Sequence, residues 1–412
     1  MNPYDIRNFV KEHGVSGFED AFGRLLEGEV LPNGTKIKRR PQEFSLTALW
    51  EGLVGPVDWI TRPPRELMES GGLDPTGFPT VTEKLLAAVM IPAYATQMQV
   101  ADRLVPRSYD PKTLTEQFPG FTAGEGPKPI PIGDEYPVVG FGDKYATFQS
   151  ALHNKKEGFE IRINEETIRF DQTGMIMQIA ENNAQSMATE RERRTVRAVL
   201  GIGADTGTTQ AGVYFPSGVD TAVYRGAVFN LRTDAAPVYI DPASGVSDSQ
   251  LRNYSDLAEM MTIHATKIKD DRLIGDQRPI TWNPNTMLIP TALATTAANV
   301  LSSTGITYIQ NAGTSSAPEI RQNSANPLGV VFGGSMPQPV VSVYADEVSQ
   351  TKWVLYDNQR SFLRVNIYPI QTFRAPSGYM WNRDVVFAMR MREWSRVVAV
   401  EHRNAMMSGD PS

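Results

Sequence analysis

Cysteine is absent from the 412-residue chain. That removes disulfides, thiolate zinc sites, iron–sulfur clusters and cysteine nucleophiles together, and it suits a protein matured in a reducing cytoplasm. Histidine is nearly as scarce. His13, His153, His264 and His402 lie far apart, none stands in a ligand motif with a second histidine or a carboxylate, and HExxH does not occur. His264, beside the apolar face of a predicted helix, reads as a hydrogen-bonded structural histidine. No GxSxG elbow is present. GIGADTG, 201–207, follows a predicted helix rather than a strand and lacks the Lys-Ser/Thr ending of a phosphate loop, so it reads as a helix stop and turn. Asp270 and Asp271, on a polar helix end, read as solvated charge rather than an acid–base pair. The sequence therefore predicts no catalytic residue, no metal and no cofactor. Long hydrophobic runs are missing too: LLAAVMIPAYA is too short to cross a bilayer and contains Pro92, and MNPYDIRNFVKEHG lacks the basic-then-apolar plan of a signal peptide. A soluble, unsecreted protein with no membrane partner is expected. Positive charge is in deficit, with 40 basic against 46 acidic residues for a net −6. This argues against a dedicated nucleic-acid grip and confines any such contact to local patches.

What is present is a distinct order of parts. Residues 1 to about 80 combine KIKRRP, TRPPRE and GGLDPTGFP with a short amphipathic helix near Phe9 to Leu26, and read as an arm. A helical pattern returns over Val81 to Val100. RSYDPKTLTEQFPGFTAGEGPKPIPIGDEYP follows, crowded with proline and glycine. A structureless loop that long is rare inside a compact domain, so it is either disordered or held by something else. With the strand-like YATFQSAL and GFEIRI around HNKKEG, the region from Arg107 to Arg162 reads as an extended, partly two-stranded excursion.

The longest helix-forming stretch comes next. No proline lies between Pro137 and Pro216, and Ile168, Met175, Ile179, Ala184, Met187, Val196 and Leu200 form a thin apolar stripe at helical spacing. With Asn164 as cap, Glu165 and Glu166 at the positive end, and Arg191, Arg193, Arg194 and Arg197 before Gly201, these signals predict one helix over 164–200. It would be about 55 Å long. The arginines admit two readings: dipole capping, with Glu190 and Arg194 as an i,i+4 pair, and contact between Arg191, Arg194, Arg197 and nucleic acid. Beyond a glycine- and threonine-rich 203–246 lies an amphipathic helix carrying Leu251, Tyr254, Ala258, Met261 and Ile268 on one face. NTMLIPTALATTAANVLSS predicts a buried strand ending at Pro290 and then a helix. Alternation at Leu363, Val365 and Ile367, and again at Phe387, Met389 and Met391, predicts long closing strands. The fold class is α+β.

In this order, EGFEIRINEE leading into the long helix, the WNPNTMLIPTAL unit, and KWVLYD before a long alternating strand resemble the major capsid proteins of tailed bacteriophages, the Hong Kong 97-like shell fold. The resemblance covers Arg107 to the C-terminus. It implies an N-terminal arm (1–106), an extended loop (107–162), a peripheral domain with a spine helix and a candidate insertion (163–246), an axial domain (247–335) and a return to the peripheral domain (336–412). It further implies a subunit that forms pentamers and hexamers of an icosahedral head, assembled in the host cytoplasm and residing in the virion capsid. The implied partners are further copies of itself, scaffolding, portal and decoration proteins, and packaged double-stranded DNA held by weak contacts. Phe118, Phe121, Lys128 and Lys144 fall in the implied inter-subunit loop; no motif marks either lysine for cross-linking. Two alternatives stand beside this reading: an encapsulin-type nanocompartment shell, and an α+β hydrolase whose carboxylates meet only on folding.

Overall fold

A computed structural model describes residues 3–30, 36–37, 41, 44–55, 77–97, 100–111, 115–120, 146–151, 156–170, 175–200, 251, 254–267, 269–270, 278–279, 283–302, 305–310, 320–325, 336–375, 385–399 and 404–408. Helices are α1 (Pro3–Glu27), α2 (Leu46–Leu53), α3 (Gly77–Gln97), α4 (Ala101–Leu104), α5 (Glu165–Phe170), α6 (Met175–Val199), α7 (Tyr254–Lys267), α8 (Ala294–Ser302) and α9 (Val343–Asp346). The strands, in chain order, are β1 (Glu29–Val30), β2 (Lys36–Ile37), β3 (Ser108–Tyr109), β4 (Thr115–Gly120), β5 (Ala146–Ala151), β6 (Glu157–Asn164), β7 (Lys269–Asp270) and β8 (Arg278–Pro279). They continue with β9 (Thr286–Ile289), β10 (Gly305–Gln310), β11 (Ile320–Ala325), β12 (Gln338–Val341), β13 (Trp353–Tyr356), β14 (Phe362–Arg374), β15 (Val385–Ala399) and β16 (Ala405–Ser408). The class is α+β, as the sequence predicts. Two compact units divide the chain: Met1–Met98 with Lys155–Arg191 and Tyr368–Trp394, and Gln99–Asn154 with Glu192–Ile367 and Ser395–Ser412.

In the first unit, the stretch expected to be an arm contributes helices to a core. Apolar residues recur four apart along α1, at Ile6 and Val10 and again at Phe18, Phe22 and Leu26, and all five are buried. Gly14, at φ 74°, bends α1 between these two sets so that both face one core. Ser45 caps α2 by accepting from the Ala48 amide, and Leu46, Leu49, Trp50 and Leu53 enter the same core. So do Phe78, Val81, Leu85, Leu86 and Met90 of α3, together with Ile168, Met177, Ala184, Phe387 and Met389. Each fully buried side chain of this size is worth about 1.5–3 kcal/mol. Helices with so much apolar surface do not lie free in water. The floor of this core is the antiparallel β6–β15 ladder, in which Ile161 opposes Met389 and Ile163 opposes Phe387.

Of the single helix expected over 164–200, the structure describes α5 and α6; residues 171–174, on which its continuity depends, lie outside those described. Asn164 ends β6 directly before α5. The regular rod is the 25-residue α6, about 37 Å long.

The second unit has its own core around the sheet β12-β9-β13-β16. β9 and β13 are buried along their whole length, which is why TMLI and WVLY read as continuous apolar runs rather than alternating ones. Pro290 closes β9 and opens the turn Thr291–Leu293 into α8, the predicted strand–proline–helix unit. Leu257 and Met260 of α7 are buried, flanked by the partly buried Tyr254, Ala258 and Met261 of the predicted face. β14 departs from its predicted alternation: Phe362, Leu363, Arg364 and Val365 are all buried. The two strands expected around HNKKEG take different partners: YATFQSAL contains β5, which pairs with β4 and sets Phe118 opposite Phe148. GFEIRI is instead β6 of the first unit. Residues 201–250, with the candidate insertion, lie outside the described residues.

Candidate functional site

Ala180, Ala184, Ala188, Glu192 and Val196 follow one another four apart along α6, and every one is buried. Alanines make this row low enough for close packing. A carboxylate in such a row needs partners, because an isolated buried charge costs several kcal/mol. Arg191 and Glu192, adjacent on α6, each hold a different cluster.

Arg191 sits in the first unit, where its Nη1 meets Glu393 Oε1 at 2.9 Å, the two side chains being 12% and 1% exposed. The same Nη1 donates to the Tyr94 hydroxyl at 2.6 Å, and Tyr94 donates to Glu393 Oε2 at 2.7 Å. Tyr94 comes from α3 and Glu393 from β15, so a three-residue ring joins helix, helix and strand. Burial pushes the Tyr94 phenol well above its ordinary value, and the Glu393 carboxylate adds to this, while Arg191 opposes it. Arg191 therefore carries a structural role that the sequence reading did not assign to it.

Glu192 belongs to the second unit and is 3% exposed. Its Oε1 accepts from the amides of Val100 at 2.9 Å and Ala101 at 3.2 Å, capping the short helix α4 from a distant part of the sequence. Other groups fix the residues that follow. Arg364 pairs with Asp102 and donates to the Ala101 carbonyl at 2.7 Å. The Tyr356 hydroxyl donates to the Leu104 carbonyl at 2.9 Å, and Arg107 donates to the Gln359 carbonyl at 2.7 Å. Hydrogen bonds to charged groups are worth about 1.5–3 kcal/mol each. Residues 100–107, which lead into β4, are thus a rigid base. Farther along α6, Arg193 and Arg197 converge on Glu347 Oε2 at 2.6 and 3.1 Å.

The three predicted arginines of α6 take different surroundings. Arg191 is interior, Arg197 holds Glu347, and Arg194 is partly buried. Phe118 lies on β4; Phe121, Lys128 and Lys144 fall outside the described residues. His13 is about half exposed on α1 and stacks against Phe9 with ring centroids 4.5 Å apart. Among the described residues no group of His, Asp and Glu could hold a metal ion, and no helix is long and apolar enough to cross a membrane. Sequence reasoning missed Tyr94, Glu192, Glu347, Arg364 and Glu393. Glu192 alone carried a legible signal, its place in the i,i+4 row.

The sequence profile of a family described as phage capsid protein matches residues 152–405, more than half of the chain. No curated protein matches. Among solved structures, the chain is similar to a virus-like particle from Pyrococcus furiosus, at 10% identity and a TM-score of 0.37, over 78% of this chain and 97% of that one. A Mycobacterium phage Ogopogo structure matches at 13% identity and TM-score 0.39, over 76% and 92% of the respective chains. The capsid of Myoviridae phage XM1 matches at 9% identity and TM-score 0.40, over 72% and 86%.

Proposed function

The chain belongs to the phage capsid protein family, a structural and not a catalytic class, and from that premise we propose that it is the major shell subunit of an icosahedral, tailed-phage head. The observation that carries the proposal is the family match over residues 152–405. In this reading the subunit closes into pentamers and hexamers that enclose double-stranded DNA, assembled in the host cytoplasm with scaffolding, portal and decoration proteins. Such rings need head-to-tail contacts that differ from the self-matching patch of a dimer. The pinned base at 100–107 and the β4–β5 ladder support a loop that reaches a neighbour from a fixed root. Proline in that segment narrows its unfolded ensemble and lowers the entropy lost when a neighbour holds it. Residues 107–162 serve as the extended loop in this reading, 247–335 as the axial domain and 336–412 as the return. Arg194 stays a candidate contact to packaged DNA, whereas Arg191 is occupied by Glu393 and Tyr94.

Assembly is the test. The purified chain, alone or with a scaffolding partner, should form rings or closed particles in negative-stain micrographs. A protein that stays monomeric across salt and concentration series overturns the proposal.

A further inference from the structure

The β6–β15 ladder of the first unit has two faces, and the core covers one of them. The other carries Gly158, Glu160 and Arg162 of β6 opposite Arg392, Arg390 and Ala388 of β15. Arg390, Glu160 and Arg162 are exposed, and Lys156, two residues before Gly158, shares this face and is exposed too. Arg162 Nε meets Glu160 at 2.6 Å and Arg390 lies opposite the same carboxylate, so with Lys156 and Arg392 the described residues of these two rows carry an excess of positive charge.

Three aromatic rings are interleaved with these cations. The Arg392 guanidinium lies 4.8 Å from the Tyr368 ring centroid and 4.4 Å from that of Phe373. Lys156 Nζ lies 5.1 Å from the Trp394 ring and 6.0 Å from Tyr368, whose own rings are 5.6 Å apart. Stacking of this kind holds long cationic side chains in place and fixes the guanidinium plane, so less rotamer freedom is lost when an anion is bound. Gly158 makes the arrangement possible: a Cβ there would lie 3.0 Å from Arg392 Cα and 3.1 Å from its Cβ. Arg392 Nη2 donates to Gln371 at 3.3 Å, while the Arg392 Nε–H and the Trp394 Nε1–H, both shielded, meet no acceptor among the described residues.

We propose that this face is a sequence-independent seat for the phosphodiester backbone of duplex DNA, and hence that it faces the lumen of the shell; the second part rests on the shell reading above. Cations held in place on an exposed face call for a polyanion. The rings are engaged by the chain's own cations, which present charge rather than base-edge readout and so suit phosphate contact. A chain with a net charge of −6 gains from concentrating such contact in one patch.

Two measurements test it. Binding of a short mixed-sequence DNA duplex to the unassembled chain is followed against salt. In the Lys156→Gln/Arg390→Gln double variant the slope of log affinity against log salt should fall by about two. The charge-retaining Lys156→Arg/Arg390→Lys pair should keep the slope. No duplex binding by the natural chain, an unchanged slope, or stronger competition by polyglutamate than by unlabelled duplex overturns the proposal, the last in favour of an acidic peptide partner. Because the natural chain has no cysteine, Arg390→Cys offers a single labelling site. A bulky polyethylene-glycol maleimide should label it in free subunits and not in closed particles; equal labelling of closed particles shows an outward face and refutes the lumenal placement. If no particles form, the shell reading fails, and the salt slope still judges the seat.

Discussion

Tyr94 is a neutral phenol locked between a guanidinium and a carboxylate, and its environment makes stability depend on alkaline pH. Burial raises its folded-state pKa above the ordinary value of 10.0, with Glu393 adding to the shift. Between these two values the unfolded phenol has lost its proton and the folded one keeps it, so stability from this group is fully present below the unfolded pKa and falls as pH rises past it. Replacing Tyr94 with Phe removes the hydrogen bond to Glu393, worth about 1.5–3 kcal/mol near neutrality, and removes the ionisation as well. The expected outcome is that the urea-midpoint gap between natural protein and Tyr94→Phe narrows from about pH 7 to about pH 11. A gap that stays constant shows that Tyr94 titrates normally. None of this is visible in the sequence, where Tyr94 sits in an apolar helical stretch and its two partners lie 97 and 299 positions away.

At the scale of elements, most of what was legible was local. The strand TMLI, the stop at Pro290 and the helix after it were readable because each signal acts within a few residues. So was the apolar stripe of α6. Pairing was not readable: GFEIRI looks like half of a hairpin with YATFQSAL, yet it joins β15, more than 200 residues later, while YATFQSAL joins β4. Close contact in the β6–β15 ladder makes a test of that pairing. A methyl group on Gly158 would collide with the Met391 carbonyl and crowd Arg392. Gly158→Ala should therefore destabilise the protein by about 1–3 kcal/mol, read as a lowered urea midpoint. A variant as stable as the natural protein shows that the strands are not so paired.

For the whole molecule, the helices before residue 98 decide whether the first unit has a core at all. Removing residues 1–97 would uncover Ile168, Met177, Ala184, Phe387 and Met389 together, a contiguous apolar patch of a kind that soluble proteins rarely leave bare. The fragment 98–412 should aggregate on expression; if it is soluble and unfolds cooperatively, α1–α3 are dispensable and the arm reading returns. The sequence by itself determined the absence of thiol chemistry, the α+β class, the position of the long helix and the run of buried strands, all of which rest on composition or on periodicity within a few turns. Tertiary structure alone decided that the N-terminal helices are core, that Arg191 turns inward to Glu393, and that Glu192 pins residues 100 and 101. Burial and charge pairing depend on which distant residues arrive at a surface, and no local pattern encodes the neighbour that will cover it.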